Sequence, residues 1–561
     1  MSSPYQKFRQ SALKRPANPA IKYRNKKKWR GRNYGSLLSL VDNLAVSLRD
    51  LGVKPADRLI IYSENRPEWL ITDLAINSIQ AISVPVHAVA MSEYFEFVAR
   101  DSGASYLFIS SKLYRKNLKI ITKHTQFRYV IVIGKASGSK NSKTLSFKQL
   151  VKSGKNLDLP SKPARPSAIA TIVYTSGTTG KPKGVMLTNQ NLVSNIHAVT
   201  QRIKIYHSDV FLSFLPLSHI LERNCGSNLP MARGACIAYA KSPKTVTQDL
   251  SAIQPSVLIS VPKIYERVYE AIFSQIKKKP KPLRKLFYWA VKDQPTSWRQ
   301  KLACFLVLTP LKNKIFGYRL RFSVSGGASI NKNILKFFKK IQVNIVEGYG
   351  LTETSPIISV NGLKPEQAKI ATVGQAIKGV KVKINPDKEI IVKGPNVMKG
   401  YWNQTSLTQQ AFSNGWFKTG DLGFQDDQGF LTIIGRRKEI IVTNNGKNIA
   451  PEKIENLLNL NPLIQQSIVV GHRKKFLTAL IHTGEPTSRN IKKSKAAVQK
   501  AINKINQQLE PHEQIRRFKI ITQPFSIEKG ELTPTLKIRR KIIEANYKNI
   551  IEKMYSNTKA D

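Results

Sequence analysis

Acidic residues are few beside basic ones in this 561-residue chain, and cysteines are fewer still. Its 35 Asp and Glu stand against 91 Lys and Arg, leaving a net charge of +56. A field of that sign draws anionic partners, whether nucleic acid, phospholipid or nucleotide-like cofactors, and says nothing about fold. The basic residues are scattered along the whole length, so a solvated lysine coat accounts for them equally well. The three cysteines, Cys225, Cys236 and Cys304, have no metal-ligand spacing and cannot all pair. That argues against a disulfide scaffold or a structural zinc site and for a reducing compartment. No apolar run reaches the roughly 18 residues that a membrane-spanning helix needs. Polar and basic residues follow Met1 with no apolar leader core, so no secretory signal is expected. A cytoplasmic protein, with peripheral binding to the cytoplasmic membrane face as an option, is the expectation.

What is present is an ordinary globular interior, 41% hydrophobic, in a chain long enough for more than one domain. Residues up to Arg32 are basic and polar, with a loop-like Pro16-Ala-Asn-Pro19, and are expected to pack poorly at their start. Between Tyr34 and Leu51, Leu37, Leu38, Val41, Leu44, Ala45 and Leu48 recur at helical spacing up to Gly52. Short apolar runs at Arg58–Tyr62, Ala81–Pro85, Tyr106–Ile109 and Tyr129–Ile133 then alternate with helical segments. That pattern predicts an α/β fold with parallel strands and helices.

Ala168-Ile-Ala-Thr-Ile-Val173 predicts a buried strand feeding Tyr174-Thr-Ser-Gly-Thr-Thr-Gly-Lys-Pro-Lys-Gly184. This loop gathers hydroxyls at Thr175, Ser176, Thr178 and Thr179, glycines at Gly177 and Gly180, and lysines at Lys181 and Lys183. Glycine lets backbone N–H groups approach phosphate oxygens, hydroxyls donate further bonds and lysine brings charge. A flexible Gly/Thr surface turn has the same composition. The Walker pattern does not fit, because Gly177 and Gly180 are too close and Pro182 follows Lys181.

Two more glycine turns follow predicted strands. Arg321-Phe-Ser-Val-Ser-Gly-Gly-Ala328 contributes Gly326, Gly327 and Ala328, and Val343-Asn-Ile-Val-Glu-Gly-Tyr-Gly-Leu-Thr-Glu-Thr354 contributes Tyr349, Gly350, Thr352 and Glu353. Strand C-termini are where open α/β sheets bind ligands. The glycines admit a flat base, Tyr349 can stack on it, Thr352 can donate to a phosphate oxygen and Glu353 is a hard oxygen ligand suited to Mg²⁺. Gly415-Trp-Phe-Lys-Thr-Gly-Asp-Leu-Gly423 holds Asp421 between glycines, where two carboxylate oxygens can accept from two ribose hydroxyls; a plain turn aspartate is the alternative.

Taken together, in this order and over about residues 34 to 545, these stretches resemble the adenylate-forming superfamily of acyl-CoA synthetases, adenylation domains and luciferases. The resemblance implies a large N-terminal domain (1–435) binding ATP and acyl substrate, and a small mobile C-terminal α/β lid (436–561). It implies that Arg436 in Gly435-Arg-Arg-Lys-Glu reaches the ribose, that Lys438 is the hinge and that Lys537 in Leu532-Thr-Pro-Thr-Leu-Lys537 is the catalytic lysine; Lys541 is the nearby competitor. Gly446 and Lys447 would approach a pantetheine channel. Asn445 stands where the family often has glycine, in a turn where left-handed backbone is expected.

Pro216-Leu-Ser-His-Ile-Leu-Glu-Arg223 and Pro262-Lys-Ile-Tyr-Glu-Arg267 are similar to the long-chain branch, in which His219 would line the acyl pocket. Some long-chain members carry a tryptophan gate where this chain has Arg223. The implied activity is ATP- and Mg²⁺-dependent activation of a long-chain fatty acid as an acyl-adenylate, with transfer to CoA. Delivery to an acyl-carrier protein is the alternative enzyme, and a catalytically silent basic protein on membrane or nucleic acid is the alternative from another class; no specific nucleic-acid partner is expected. Between residues 275 and 314, lysines flank Leu286-Phe-Tyr-Trp-Ala-Val291 and Leu302-Ala-Cys-Phe-Leu-Val-Leu308. That mixture suits either a helix on an anionic bilayer or a helical insertion packed on its own domain.

Overall fold

The computed structural model describes residues 3–25, 28–124, 126–135, 143–154, 164–175, 182–242, 245–292, 298–484, 491–533 and 537–556. Two large sheets carry most of the chain. The first runs in the order Gln375–Ala376, Ile357–Val360, Ile345–Gly350, Phe322–Ser325, Val257–Ser260, Val210–Ser213, Cys236–Tyr239, Pro19–Asn25, Lys28–Asn33. Its five central pairings are parallel and its edges antiparallel. The second places Ile169–Thr175 beside Ile82–Val86, Arg58–Tyr62, Tyr106–Ser110 and Tyr129–Ile133, all parallel, with Lys183–Thr188 antiparallel on the other side of Ile169–Thr175. The expected alternation of buried strands and helices is therefore present. Strands such as Leu59–Tyr62 and Tyr106–Ile109 are buried on both faces, as covered parallel sheets require.

The N-terminus departs from expectation. Pro4–Lys14 is a packed helix, started by a reciprocal cap in which Ser3 and Gln6 exchange side-chain-to-backbone bonds of 3.3 and 2.8 Å. Tyr5, Phe8 and Ala12 lie on one helical face and are buried. Pro19–Asn25 then joins the edge of the first sheet. The basic composition masked a narrow apolar stripe, which was enough.

A smaller antiparallel sheet holds Glu389–Lys393, Trp416–Gln425 and Leu431–Arg436. Beyond it, Gln466–Val470, Leu477–His482 and Ile515–Ile521 form a three-stranded sheet against the helices Pro451–Leu458 and Ile491–Asn506. Two apolar clusters, around Ile454 and Leu477 and around Ile468 and Phe525, draw only on residues from Ile441 onward.

One buried ion pair couples the two large sheets. Arg223, on a π-helical turn after the first sheet, donates to both oxygens of Asp73 and to the hydroxyls of Ser83 and Thr171. Its guanidinium also lies 5.7 Å from the Trp69 ring centre. Breaking one half of such a pair strands the other charge at a cost of about 3–5 kcal/mol, whereas replacing both by apolar groups can be neutral. Arg223→Met should lower the melting temperature clearly, and adding Asp73→Leu should restore most of the loss. A single variant that melts like the wild type would show that the pair does not couple the sheets.

Candidate active site

The ligand-side ends of the sheets converge on Asp421. Trp416–Gln425 and Leu431–Arg436 pair antiparallel with Asp421 opposite Arg436, so their side chains meet: Arg436 Nε lies 2.7 Å from Asp421 Oδ1. From the first sheet, Tyr349 donates its hydroxyl to Asp421 Oδ2 at 2.6 Å. Asp421 is 3% exposed. Burial pushes its pKa up, opposed by Arg436, Tyr349 and Lys537. Gly420 sits at φ +72° with its N–H donating to Glu389, and Thr419 anchors to the Ile390 carbonyl, so the expected turn is instead a stretch of strand that the neighbouring strand Glu389–Lys393 holds just before Asp421.

Four residues beyond Tyr349, Glu353 accepts from the Tyr401 hydroxyl at 3.0 Å, and Lys183 Nζ lies 5.2 Å from the centre of the Tyr401 ring. The Lys183 ammonium is depressed by burial and then by Lys438, with Glu353 acting the other way. Thr175 ends the strand that leads into the glycine loop. Ser176, Gly177, Thr178, Thr179, Gly180 and Lys181 lie outside the described residues, but both flanks of their loop, Thr175 and Lys183, are paired across Ile169–Thr175 and Lys183–Thr188. Thr352 and Glu353 form a short turn after Ile345–Gly350, held by Met398 N–H on the Glu353 carbonyl at 2.8 Å. Gly326 is buried against Leu221, while Gly327, at φ +87°, and Ala328 are exposed.

Lys537 comes from the far end of the chain. The residue is exposed, and its ammonium lies within electrostatic reach of Arg436, Glu452, Asp421 and Glu439. Burial and then Arg436 lower its pKa, and the three carboxylates oppose them. The loop carrying it is closed by Thr533 and Lys537, whose backbones and the Thr533 hydroxyl bond at 2.8 and 3.0 Å. Arg540 then grips Glu455 with two bonds of 2.8 and 3.0 Å. Lys541 acts instead on Glu544 and is exposed.

His219 belongs to the same group: His87 and Lys537 both act on it, after burial, to lower its pKa to about 3. Arg223 is committed to Asp73, Ser83 and Thr171, so the position of the tryptophan gate is occupied by a fixed structural cation. Gly446 and Lys447 sit on an exposed turn where Gly446, at φ +69°, takes the left-handed conformation; Asn445 does not adopt it, so no glycine is needed there. Lys438 is exposed just after the antiparallel sheet.

Several residues at this site drew no notice in the sequence. Tyr401 and Glu389 lie in a stretch read only as β-rich, and Glu452 was one acid in a helix start. His87 follows an apolar strand directly, which in a parallel sheet marks the ligand edge and was the available signal. Glu222 is the least expected. Burial lifts its pKa to about 8, its two oxygens lack a partner at bonding geometry among the described residues, and the nearby Ser213 hydroxyl offsets only part of that cost.

The chain can be placed by comparison with known proteins. Residues 8–402 match the AMP-binding enzyme family, and residues 438–559 match the AMP-binding enzyme C-terminal domain. This protein belongs to the AMP-binding enzymes. It is 34% identical to the long-chain-fatty-acid–CoA ligase FadD15 of Mycobacterium bovis, over 91% of this chain and 90% of that protein. It is 30% identical to the peroxisomal long chain acyl-CoA synthetase 6 of Arabidopsis thaliana, over 93% of this chain and 81% of that protein. Among solved structures it resembles the anthranilate CoA ligase AuaEII in complex with anthranoyl-AMP, at a TM-score of 0.80, 18% identity and 98% coverage of both chains. It also resembles the A domain of a carboxylic acid reductase from Segniliparus rugosus, at a TM-score of 0.82 and 21% identity over 99% of this chain and 94% of that one. As in other AMP-binding enzymes, a large N-terminal α/β region precedes a small C-terminal one.

The Glu222 carboxyl makes a measurable signature. Its folded pKa, about 8, exceeds the ordinary 4.5, so the folded state holds a proton that the unfolded state has lost. Its stability contribution is complete below pH 4.5 and falls as pH rises toward 8, by up to about 1.4 kcal/mol per pH unit. The stability difference between Glu222→Gln and wild type should therefore move in favour of the variant across that window in denaturant titrations. A difference that does not change with pH would exclude a buried neutral carboxyl.

Proposed function

We propose that this AMP-binding enzyme is an acid–thiol ligase that activates a long-chain fatty acid with ATP and transfers the acyl group to CoA, releasing AMP and pyrophosphate. The observation that supports the reading is that Lys537 lies within electrostatic reach of the Asp421–Arg436 pair: a lysine from near the end of the chain acts on a buried carboxylate of the N-terminal region. The long-chain substrate rests on the 34% and 30% identical relatives, whose names specify it.

In this reading Asp421 and Arg436 take the ribose. Each Asp421 oxygen keeps a second lone pair beyond the bond it already makes. Gly326, Gly327, Ala328 and Tyr349 with Gly350 border the base. Thr175 to Gly180, with Lys181 and Lys183, receive the β- and γ-phosphates, and Thr352 donates to phosphate. Glu353 suits Mg²⁺: one oxygen is oriented by Tyr401, and a magnesium ion that arrives with a triphosphate needs only one or two carboxylates. When bound, the ion neutralises phosphate charge. Lys537 neutralises the carboxylate and α-phosphate as the carboxylate oxygen attacks phosphorus and pyrophosphate leaves. The thiol sulfur then attacks the acyl carbon and AMP departs. Such chemistry is mostly positioning and charge stabilisation. The domain boundary is proposed at 435/436, with Lys438 as the pivot that withdraws Lys537 and brings Gly446 and Lys447 toward the pantetheine channel, so that one site serves two transition states.

Lys537→Ala should cut fatty-acid-dependent pyrophosphate release by about 10²–10³-fold, the scale of losing one preorganised charge stabiliser. Release at full rate would remove the lysine from its role. Running the assay over acids of increasing chain length, with CoA or an acyl-carrier protein as acceptor, separates the ligase from a carrier-protein synthetase, whose acidic partner the +56 charge would also suit.

Peripheral binding to an anionic membrane is part of the same proposal. Within the helices Lys281–Ala290 and Thr309–Phe316 and the segment between them, Phe287, Leu308 and Phe316 are buried while Leu283, Tyr288, Trp298, Leu302, Phe305 and Leu306 are exposed. Phe305 and Leu306 are each 62% exposed. Exposed Lys277, Lys278, Lys279, Lys281, Lys285 and Lys314 accompany this apolar ridge. A lipid-soluble substrate and a basic apolar ridge meet naturally at a phospholipid surface. Neutralising Lys277 to Lys279 should weaken co-sedimentation with phosphatidylglycerol vesicles by roughly 1 kcal/mol per lysine, and Phe305→Glu should weaken it further. Unchanged binding in both variants would count against this face.

A further inference from the structure

His87 is the first residue past Ile82–Val86, at the ligand edge of the second sheet. Ser218 follows Val210–Ser213, at the ligand edge of the first. One hydrogen bond, His87 Nδ1 to Ser218 Oγ at 2.6 Å, crosses between them. Ser218 is 5% exposed, and the His87 ring, although protein encloses it, keeps partial access to solvent, as a side chain in a recessed wall does.

The next residue is His219. The Leu221 N–H donates to its Nδ1 at 3.3 Å, so the ring proton sits on Nε2. His219 also lies within the electrostatic reach of Lys537. Burial keeps both imidazoles neutral, with pKa values lowered to about 4 for His87 and about 3 for His219. Lys537 therefore acts on an uncharged ring at His219. No other side-chain bond to Ser218 is present among the described residues. The turn that aims His219 is thus pinned from the opposite sheet.

We propose that His87 is a positioning residue for the acyl carboxylate: through Ser218 it holds the 218–219 turn so that the His219 Nε2–H faces the carboxylate that Lys537 receives. The proposal rests on the fatty-acid reading above. Its distinctive content is that two residues more than 130 positions apart act as one unit on the acid and not on the nucleotide.

The test is a double-mutant cycle on the full chain, reading fatty-acid-dependent pyrophosphate release at varied fatty acid and at varied ATP. His87→Phe keeps the ring and deletes the bond, Ser218→Ala deletes its partner, and His87→Gln restores a polar group. His87→Phe and Ser218→Ala should each raise the KM for fatty acid by about two- to tenfold, the worth of one hydrogen bond. The KM for ATP and the melting temperature should stay at wild-type values. The double variant should be no worse than either single one, and His87→Gln should recover part of the loss. Binding of the fluorescent fatty acid cis-parinarate should weaken by the same factor. A wild-type KM in Ser218→Ala, additive effects, or an equal rise in the KM for ATP would overturn the proposal while leaving the ligase reading intact. A wild-type enzyme without fatty-acid-dependent release would sink the ligase reading itself, and the proposal with it.

Discussion

The carboxylate of Asp421 is the point at which three parts of the chain are tied together. Tyr349 brings the first large sheet to it, its own strand brings the antiparallel sheet, and Arg436 ends the strand Leu431–Arg436 from which the chain runs on toward its C-terminal part. A buried carboxylate persists only while its partners stay in place, because a lone charge in that environment is costly. The same contacts that satisfy Asp421 therefore fix the exit direction of the chain toward Lys537. Lys537 can stand over this corner because Arg540, three residues on, is clamped to Glu455.

The scarcity of acids gives this arrangement its economy. With 35 acidic residues among 91 basic ones, almost any buried carboxylate can find a cation. Asp73 with Arg223, Asp421 with Arg436 and Glu455 with Arg540 are such pairs, and Glu389 accepts from both Arg437 and the Gly420 N–H. Glu222 and Glu347 differ from these pairs. Both are raised to about 8 by burial, so each spends ordinary conditions largely protonated. At the cleft, Arg436, Lys183 and Lys537 stand among Asp421, Glu353, Glu439 and Glu452, while burial keeps His87 and His219 neutral.

Much of the candidate site was legible because its residues sit in short strings whose chemistry is local. A glycine turn directly after an apolar run is visible without knowing what lies beside it, which is how Gly326, Tyr349, Glu353 and Asp421 could be found. Residues whose importance comes from a distant partner left no such trace. The apolar strand before His87 marks its place at the sheet edge but not its partner, since Ser218 arrives from another sheet. Arg223 stood where a gate was considered, and only the placement of Asp73, Ser83 and Thr171 shows it to be a structural cation. The N-terminal helix was missed for a related reason. Its apolar stripe of Tyr5, Phe8 and Ala12 is too narrow to stand out among basic residues until something covers it.

The sequence by itself determined the alternating α/β architecture, the order of the glycine turns and the chemical types gathered around them, because hydrophobic period and turn chemistry act over a few residues. Tertiary structure alone decided which of those residues share one corner: that Asp421 faces Arg436 across a strand pair, that Lys537 rather than Lys541 reaches them, and that His87 holds Ser218. These are consequences of strand register and of how separate sheets come together, where a shift of one residue turns a side chain to the opposite face. No local pattern records that choice.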